Sequence, residues 1–215
     1  MEKQKSLVHN YKIMIKFINY FIILFLILVS TLQVSAEVED NRIIILVNDE
    51  IITNYDIVQR LKIYSIVNQV EITPTNNAII ANKMIDELID QILKNEKTKE
   101  YNIEITAEEL QYYVDLFFEN RGQDRDFVYD LMEQNNINIK HFLLMLESDI
   151  TWQTLINNLY YRITSISEVE LEEMKKDYPD MSLEQAESYI LERQLGLQSS
   201  KMLRDLRSEA TIEYK

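Results

Sequence analysis

The spacing of apolar side chains divides the chain into a short strand-forming region and several helices. Residues 43–47 (IIILV) are a continuous apolar run, an Asn-Asp pair at 48–49 interrupts it, and two isoleucines follow at 51–52. This pattern predicts a β-hairpin. Residues 211–214 (TIEY) alternate polar and apolar side chains, as a half-buried strand does. Because a lone strand needs a partner, we expect it to pair with the hairpin.

Elsewhere apolar residues recur three and four positions apart, which is typical of helices with one buried face. The longest such series follows a break at 73–75 and consists of Ile80, Met84, Ile85, Leu88, Ile89, Ile92 and Leu93. Four helix starts have a Ser or Thr with an acidic residue or Gln three positions later, at Thr53, Thr106, Ser167 and Ser182. Further helices are predicted at 124–134 and from about 139 to 163. The predicted fold is mainly α, a single domain of about six or seven helices with a small antiparallel sheet formed by the N-terminal hairpin and the C-terminal strand.

Residues 1–36 have the pattern of an export signal. A lysine-rich start precedes the apolar run FINYFIILFLILV at 17–29, and the small residues of Val-Ser-Ala at 34–36 suit a signal peptidase. We therefore expect a signal peptide over 1–36, a mature domain over 37–215 and a periplasmic location. A retained inner-membrane anchor is the alternative, because the apolar run is uninterrupted. The chain has no Cys, which excludes a lipid-anchored lipoprotein and thiolate chemistry.

The mature chain is strongly acidic. Residues 1–36 contain four of the 22 basic residues and one of the 36 acidic residues, so the predicted mature chain has a net charge of −17. Such a surface repels phosphate backbones, and we expect no nucleic-acid partner. It also favours solubility.

The sequence contains no evident catalytic set. With two glycines in the chain, phosphate-cradling loops and nucleophile elbows are not expected. His141, the single His of the mature chain, has no Ser, Cys or second His beside it, and a helix-surface role is the simpler interpretation. The acidic run at 168–173 lacks the alternating ligands of a calcium loop, and a solvated helix face explains it better. We predict that the protein is not an enzyme and needs no cofactor or metal.

Several stretches, taken in order, resemble the N-terminal domain of SurA-type periplasmic chaperones, a group that includes PpiD and trigger-factor-like proteins. They are VNDEIITNYDI (47–57), MIDELIDQILKNEK (84–97), EYNIEITAEELQYYV (100–114), NNINIKHFLLMLESDITWQTLI (135–156), RITSISEVELEEM (162–174) and the closing LERQLGLQSSKMLRDLRSEATIEYK (191–215). The resemblance covers nearly all of the mature chain. Each stretch consists of common residues, and the order of the set carries the resemblance.

The resemblance implies an ATP-independent holdase that binds unfolded or nascent exported polypeptides, including outer-membrane β-barrel proteins. Members of the family also carry parvulin prolyl-isomerase domains. Here Pro179, Asp180 and Met181 alone separate two predicted helices, so no such domain fits and isomerase activity is not expected. Two alternatives stay open: a membrane-anchored chaperone at the translocon exit, and an interaction subunit with one fixed partner.

An excess of large apolar side chains on helix flanks suggests where clients would bind. Such flanks either pack between neighbouring helices or face a partner, and ordinary core packing is the simpler interpretation of any single residue. Met and Tyr adapt to varied apolar segments. The candidate substrate-binding residues are Tyr112, Leu116, Tyr129, Met132, Phe142, Met145 and Trp152.

Overall fold

The computed structural model describes residues 41–215, which form seven helices and a three-stranded sheet. In chain order the elements are β1 (Ile43–Val47), β2 (Glu50–Thr53), α1 (Asn54–Asn68), α2 (Asn77–Glu100), α3 (Ala107–Glu119), α4 (Arg125–Gln134), α5 (Ile139–Tyr160), α6 (Glu168–Asp177), α7 (Leu183–Glu209) and β3 (Ile212–Tyr214). This confirms the predicted fold class. The predicted signal peptide lies outside the described residues. None of the helices between residues 41 and 215 combines the length and apolar character needed to cross a bilayer.

The sheet joins the two ends of the described chain. Its order is β2-β1-β3, with both pairs antiparallel, so β1 is the central strand. Val47 lies opposite Glu50 of β2 and Ile212 of β3. Ile45 and Val47 are fully buried, and the core on this face includes side chains of α2 and α7. The predicted pairing of the hairpin with the C-terminal strand is therefore confirmed.

Asn48, in the hairpin turn, fastens the sheet to its surroundings through three hydrogen bonds. Its backbone N–H donates to the carbonyl of Thr211 over 2.8 Å, and its side-chain oxygen accepts from the Thr211 N–H over 3.0 Å. Its Nδ2 donates to Oε2 of Glu96, on α2, over 2.8 Å. Asn48 has a φ of 52°, a left-handed conformation that Asn tolerates better than most residues. One residue thus connects β1, the entry to β3 and α2.

The four predicted capping boxes are all present. At Thr53, Thr106, Ser167 and Ser182 the side chain accepts from the backbone N–H three residues on, and that residue's side chain accepts in return. Each box satisfies two otherwise unpaired donors at a helix start.

One predicted helix end was wrong. The helix expected to reach about residue 163 ends at Tyr160. The N–H and hydroxyl of Thr164 both donate to the Tyr160 carbonyl, and the Ile163 N–H donates to it as well. These bonds satisfy the last helical carbonyl locally and turn the chain.

The helices pack in separate apolar clusters. The largest lies between α1, α3, α4 and α5, a second joins α2 and α7 to the sheet, and a third lies between α5 and α7. The fourth packs α6 against the beginning of α7 around Met174, Ala186 and Ile190. With 27 residues, α7 is about 40 Å long, so it extends from the sheet to α6.

The buried face of β1 supports a stability prediction. Ile45→Asp places a carboxylate at a fully buried position and should cost more than about 4 kcal/mol, enough to unfold a domain of ordinary stability. Ile43→Asp, on the same strand but 47% exposed, should cost no more than about 1 kcal/mol. Urea denaturation followed by the fluorescence of the single Trp measures both. Equal losses for the two variants would contradict the proposed packing of the sheet.

Asn48 supports a second prediction. Asn48→Gly keeps the left-handed backbone accessible but removes both side-chain hydrogen bonds, and should cost about 1–3 kcal/mol. Asn48→Ala should cost about 1 kcal/mol more, because its Cβ disfavours a positive φ. The same denaturation experiment separates the two contributions. If Ala is tolerated better than Gly, the backbone argument fails.

Candidate binding cleft

A cavity of about 350 Å³ opens between α1, α2, α5 and the end of α3. This volume lies at the small end of the range for ligand pockets. Five apolar side chains line it: Ile63, Val67 and Met84, which are buried, and Phe117 and Met145, which are half-buried. Seven charged side chains also line it, four basic and three acidic: Arg60, Lys83, Glu87, Asp90, Lys94, Arg121 and Asp149. We call this cavity the cleft.

Helical spacing explains how the two longest walls form. On α1 the lining side chains are at 60, 63–64 and 67–68, and on α2 at 83–84, 87, 90–91 and 94. Both series advance by three and four residues, so each stays on one helix face. Two such faces opposite each other, each mixing apolar and charged positions, leave a groove where neither side can close fully.

Arg60 is the unusual residue of the cleft. It is 6% exposed, although it carries a charge. Its guanidinium donates a hydrogen bond to Oε1 of Gln91, and the nearest carboxylate oxygen, Oε2 of Glu87, lies 3.8 Å from Nη1. Burial lowers the pKa of Arg60, while the charges of Glu87 and Asp149 oppose that shift. Burying a charge with so few hydrogen bonds is unfavourable for folding.

Glu87 is shared between two cations. Its carboxylate oxygens lie 3.8 Å from Arg60 and 3.8 Å from Nζ of Lys83, one helical turn before it on α2. Both distances exceed hydrogen-bonding range. Burial raises the pKa of Glu87, opposed chiefly by the charges of Arg60 and Lys83. The neighbouring cations therefore do not fully compensate for the partial loss of solvent around this carboxylate.

The remaining acidic side chains of the cleft have closer partners. Asp149 pairs with Lys94 over 2.8 Å, which connects α5 to α2. Asp90 accepts a hydrogen bond from Nε of Arg207, on α7. These contacts fix the walls and leave fewer negative charges available inside the cleft.

Two of the basic side chains lie over aromatic rings at the cleft wall. The guanidinium carbon of Arg121 is 3.7 Å from the centre of the Phe117 ring, and its Nη1 donates to the Phe117 carbonyl. Nζ of Lys83 is 4.8 Å from the centre of the Tyr64 ring. In the described part of the chain, no carboxylate pairs with Arg121. Cation–π contacts hold these charges beside apolar surface without neutralising them.

Of the predicted binding residues, Met145 lines the cleft. Tyr112 is 60% exposed and makes an edge contact with the ring of Tyr113, their centres 5.6 Å apart. Leu116 is half-buried. Tyr129 is half-buried and packs edge-on against the ring of Phe118.

The other three predicted binding residues lie in the core. Phe142 is fully buried among the rings of Phe117, Phe118 and Tyr129, and Met132 belongs to the same cluster. Trp152 is buried between α5 and α7, and its Nε1–H donates to Oγ of Ser199 over 2.8 Å. Because α5 packs against helices on several sides, both of its apolar flanks are used in packing. These three side chains do not reach the cleft surface.

The sequence pattern did not predict Arg60, Tyr64 or Glu87 as binding residues. A signal for Arg60 was present, since it lies three residues after Ile57 and three before Ile63, within the apolar stripe of α1. A charged residue in such a stripe is worth attention, because its burial is expensive unless it is paired.

A second depression lies where α6 meets α7. It is lined by Tyr178, Pro179, Met181 and Tyr189 together with acidic and polar side chains. Its volume is about 730 Å³, but it is formed largely by exposed residues and lacks a buried charge. The cleft, which contains a buried charge, is therefore the better candidate for a binding site.

The described region contains no candidate metal site. Among residues 41–215, no group of three or more His, Asp or Glu side chains is placed to hold a metal ion. Nδ1 of His141 lies 3.9 Å from an Asp56 carboxylate oxygen, and its ring meets the edge of Tyr55. This arrangement ties the start of α5 to α1.

Comparison with known proteins gives no match, either to a protein-family model or, at a significant level, to a curated protein.

The environment of Glu87 predicts a dependence of stability on pH. Its pKa is raised on folding, so the native state binds the proton more tightly than the unfolded chain, and stability falls as pH rises through the folded pKa. Glu87→Gln mimics the protonated side chain. Its melting temperature should therefore equal or exceed that of the wild type at about pH 7, and this advantage should shrink towards about pH 4.

Thermal unfolding of both proteins across this range tests the prediction. Glu187→Gln, at an exposed position of α7 outside the cleft, serves to check the effect of removing one negative charge elsewhere. A wild type that is clearly more stable than Glu87→Gln at about pH 7 would show that the carboxylate is stabilising, contrary to the argument.

Proposed function

We propose that the protein is an exported, ATP-independent holdase chaperone that binds unfolded outer-membrane or secreted polypeptides. The observation that carries the proposal is the cleft, where the half-buried side chains of Phe117 and Met145 present apolar surface bordered by charges of both signs. Such a surface accepts an apolar side chain while polar groups of the client's backbone find partners at the rim.

The composition of the cleft favours varied clients over one fixed sequence. Met145 and Phe117 are half-buried and supply a flexible, polarizable side chain and an aromatic face, whereas Met84 is fully buried. A methionine side chain adapts to different apolar groups. A small cleft engages one or two client side chains at a time, so each contact is weak and exchanges quickly, as capture and release without ATP require.

Exposed aromatic side chains provide further contact points. Tyr112 and Tyr113 on α3 are 60% and 41% exposed, and Phe127 near the start of α4 is 61% exposed. Arg125 of α4 pairs with Asp115 of α3 over 2.7 Å, which holds the two helices together on this side. Several such weak contacts in addition to the cleft would give a multivalent surface.

The topology is also what the resemblance to SurA-type chaperones implies, since an N-terminal hairpin and a C-terminal strand share one sheet. In this proposal the protein acts in the periplasm, with a membrane-tethered form as the variant if the N-terminal segment is retained. Isomerase activity is not part of the proposal.

Aggregation of an unfolded β-barrel protein tests the function. Purified protein covering residues 37–215 should delay the light scattering of a β-barrel protein diluted from urea at stoichiometric amounts. Met145→Ser should weaken this protection several-fold, because it removes apolar contact inside the cleft. Met202→Ser, at a half-buried position of α7 outside the cleft, is the matched control and should retain protection.

Two results would contradict the proposal. Absence of any delay at several-fold excess would remove the holdase function, and equal effects of the two methionine variants would remove the cleft as its site. Recovery of one stoichiometric partner in pull-downs, without binding to diverse aromatic-rich peptides, would favour a fixed-partner subunit instead.

A further inference from the structure

Arg60 has hydrogen-bonding capacity that the described chain does not use. A guanidinium has five N–H donors in a planar fork that matches a carboxylate. Within residues 41–215, Arg60 makes one hydrogen bond, to the neutral amide oxygen of Gln91, and no carboxylate oxygen comes within hydrogen-bonding range. Although Arg60 lines the cleft, it is only 6% exposed. An acceptor that entered the cleft would meet a desolvated cation with donors available.

From this arrangement we propose that the cleft binds the C-terminal carboxylate of a polypeptide whose last residue is apolar, with Arg60 as the recognising group. The inference rests on the proposed chaperone function and specifies which part of a client the cleft holds. A charge-assisted, two-point contact between the guanidinium and the carboxylate would supply orientation, and the apolar surface would take the last side chain.

The volume of the cleft favours a chain end. At about 350 Å³ it is small for a segment that must enter and leave, whereas a terminal residue enters from one side. In a terminal residue the carboxylate and the side chain diverge from one Cα. Arg60 lines the same cleft as the half-buried side chains of Phe117 and Met145, so a cation and apolar surface are available together.

Glu87 provides a way to make room for the incoming anion. It lies 3.8 Å from both Arg60 and Lys83, and its side chain is 39% exposed. Lys83 is four residues earlier on α2, a spacing at which opposite charges interact on the helix surface. When a client carboxylate approaches, Glu87 can turn towards Lys83 and solvent. Arg60 then loses Glu87 as its carboxylate neighbour and gains the client carboxylate, which can approach to hydrogen-bonding distance.

The charges around the cleft agree with an anionic ligand. Lys94 and Asp149 pair with each other, and Asp90 pairs with Arg207. Glu87 is shared between two cations, and Arg121 has a ring and a backbone carbonyl as its partners in the described region. The cleft is thus lined by one more basic than acidic side chain, although the chain as a whole carries a net charge of −14.

Fluorescence anisotropy with matched peptides tests the inference. One peptide ends in an apolar residue with a free carboxylate, the second is the same sequence amidated, and the third is amidated with an internal Glu near its end. Amidation should weaken binding to the wild type by about tenfold or more, since it removes a charged hydrogen-bond partner. The third peptide should bind as weakly as the second.

Two variants connect the effect to the cleft. Arg60→Met, which keeps a long side chain at a buried position, should bind the free acid and the amide alike. Glu87→Gln should bind the free acid several-fold more tightly than the wild type, because the competing carboxylate is gone. Thermal unfolding establishes that each variant is folded, and if Arg60→Met does not fold, the peptide series and Glu87→Gln still decide the question.

The failure of this inference is distinguishable from that of the chaperone proposal. If the wild type suppresses aggregation but binds acid and amide equally, the C-terminal recognition is wrong and the holdase function stands. Equal binding of the free acid and the peptide with internal Glu would mean that any carboxylate suffices, which also overturns it. If neither aggregation nor peptides respond, the proposed function fails first.

Discussion

The pairing of β1 with strands from both ends of the chain is the constraint on which the other packing depends. β1 hydrogen-bonds to β2, its neighbour in sequence, and to β3, more than 160 residues later. Closing so large a loop is entropically costly, so the contact must be supported by burial. Ile45 and Val47, both fully buried, supply that support from the central strand.

The consequence of this pairing reaches the cleft through α7. Because β3 follows α7 directly, the sheet fixes the end of that helix beside α2. Arg207 of α7 then bonds to Asp90 and Asp86 of α2. α2 is the wall that carries Met84 and Glu87, so its position decides whether the cleft forms. The β element is therefore structural, and its influence on binding is indirect.

The burial of the Arg60 guanidinium is not explained by its contribution to stability. Replacing a buried ion pair by apolar residues of similar volume is often neutral or stabilises a protein by about 1–4 kcal/mol. The pKa of Arg60 is lowered and that of Glu87 is raised, both mainly by burial, so the pair gains little from its own attraction. Stability alone gives no reason for a guanidinium at this position. A carboxylate ligand would give one, because it would add the hydrogen bonds that the protein does not supply.

The elements that depend on residues close in sequence could be predicted from the sequence, whereas the cleft could not. The hairpin turn at Asn48 and the capping box at Thr53 depend on near neighbours, so the sequence pattern identified them. The sheet followed because a terminal strand has to pair. The roles of Phe142 and Trp152 were harder to predict. A helix that is apolar on two flanks is compatible with burial or with binding, and the positions of the neighbouring helices decide between the two.

The contrast between an acidic protein and the buried cation of its cleft has a consequence for selectivity. Charges on the outside act through solvent and are screened within about 8 Å at physiological ionic strength. The buried Arg60 is screened much less, so a carboxylate inside the cleft interacts with it more strongly than with a surface cation. Anionic surfaces are repelled by the acidic exterior, and a carboxylate gains from Arg60 only after its apolar neighbour has entered the cleft. Recognition then requires both groups at once, which distinguishes an unfolded chain end from the acidic surface of a folded protein.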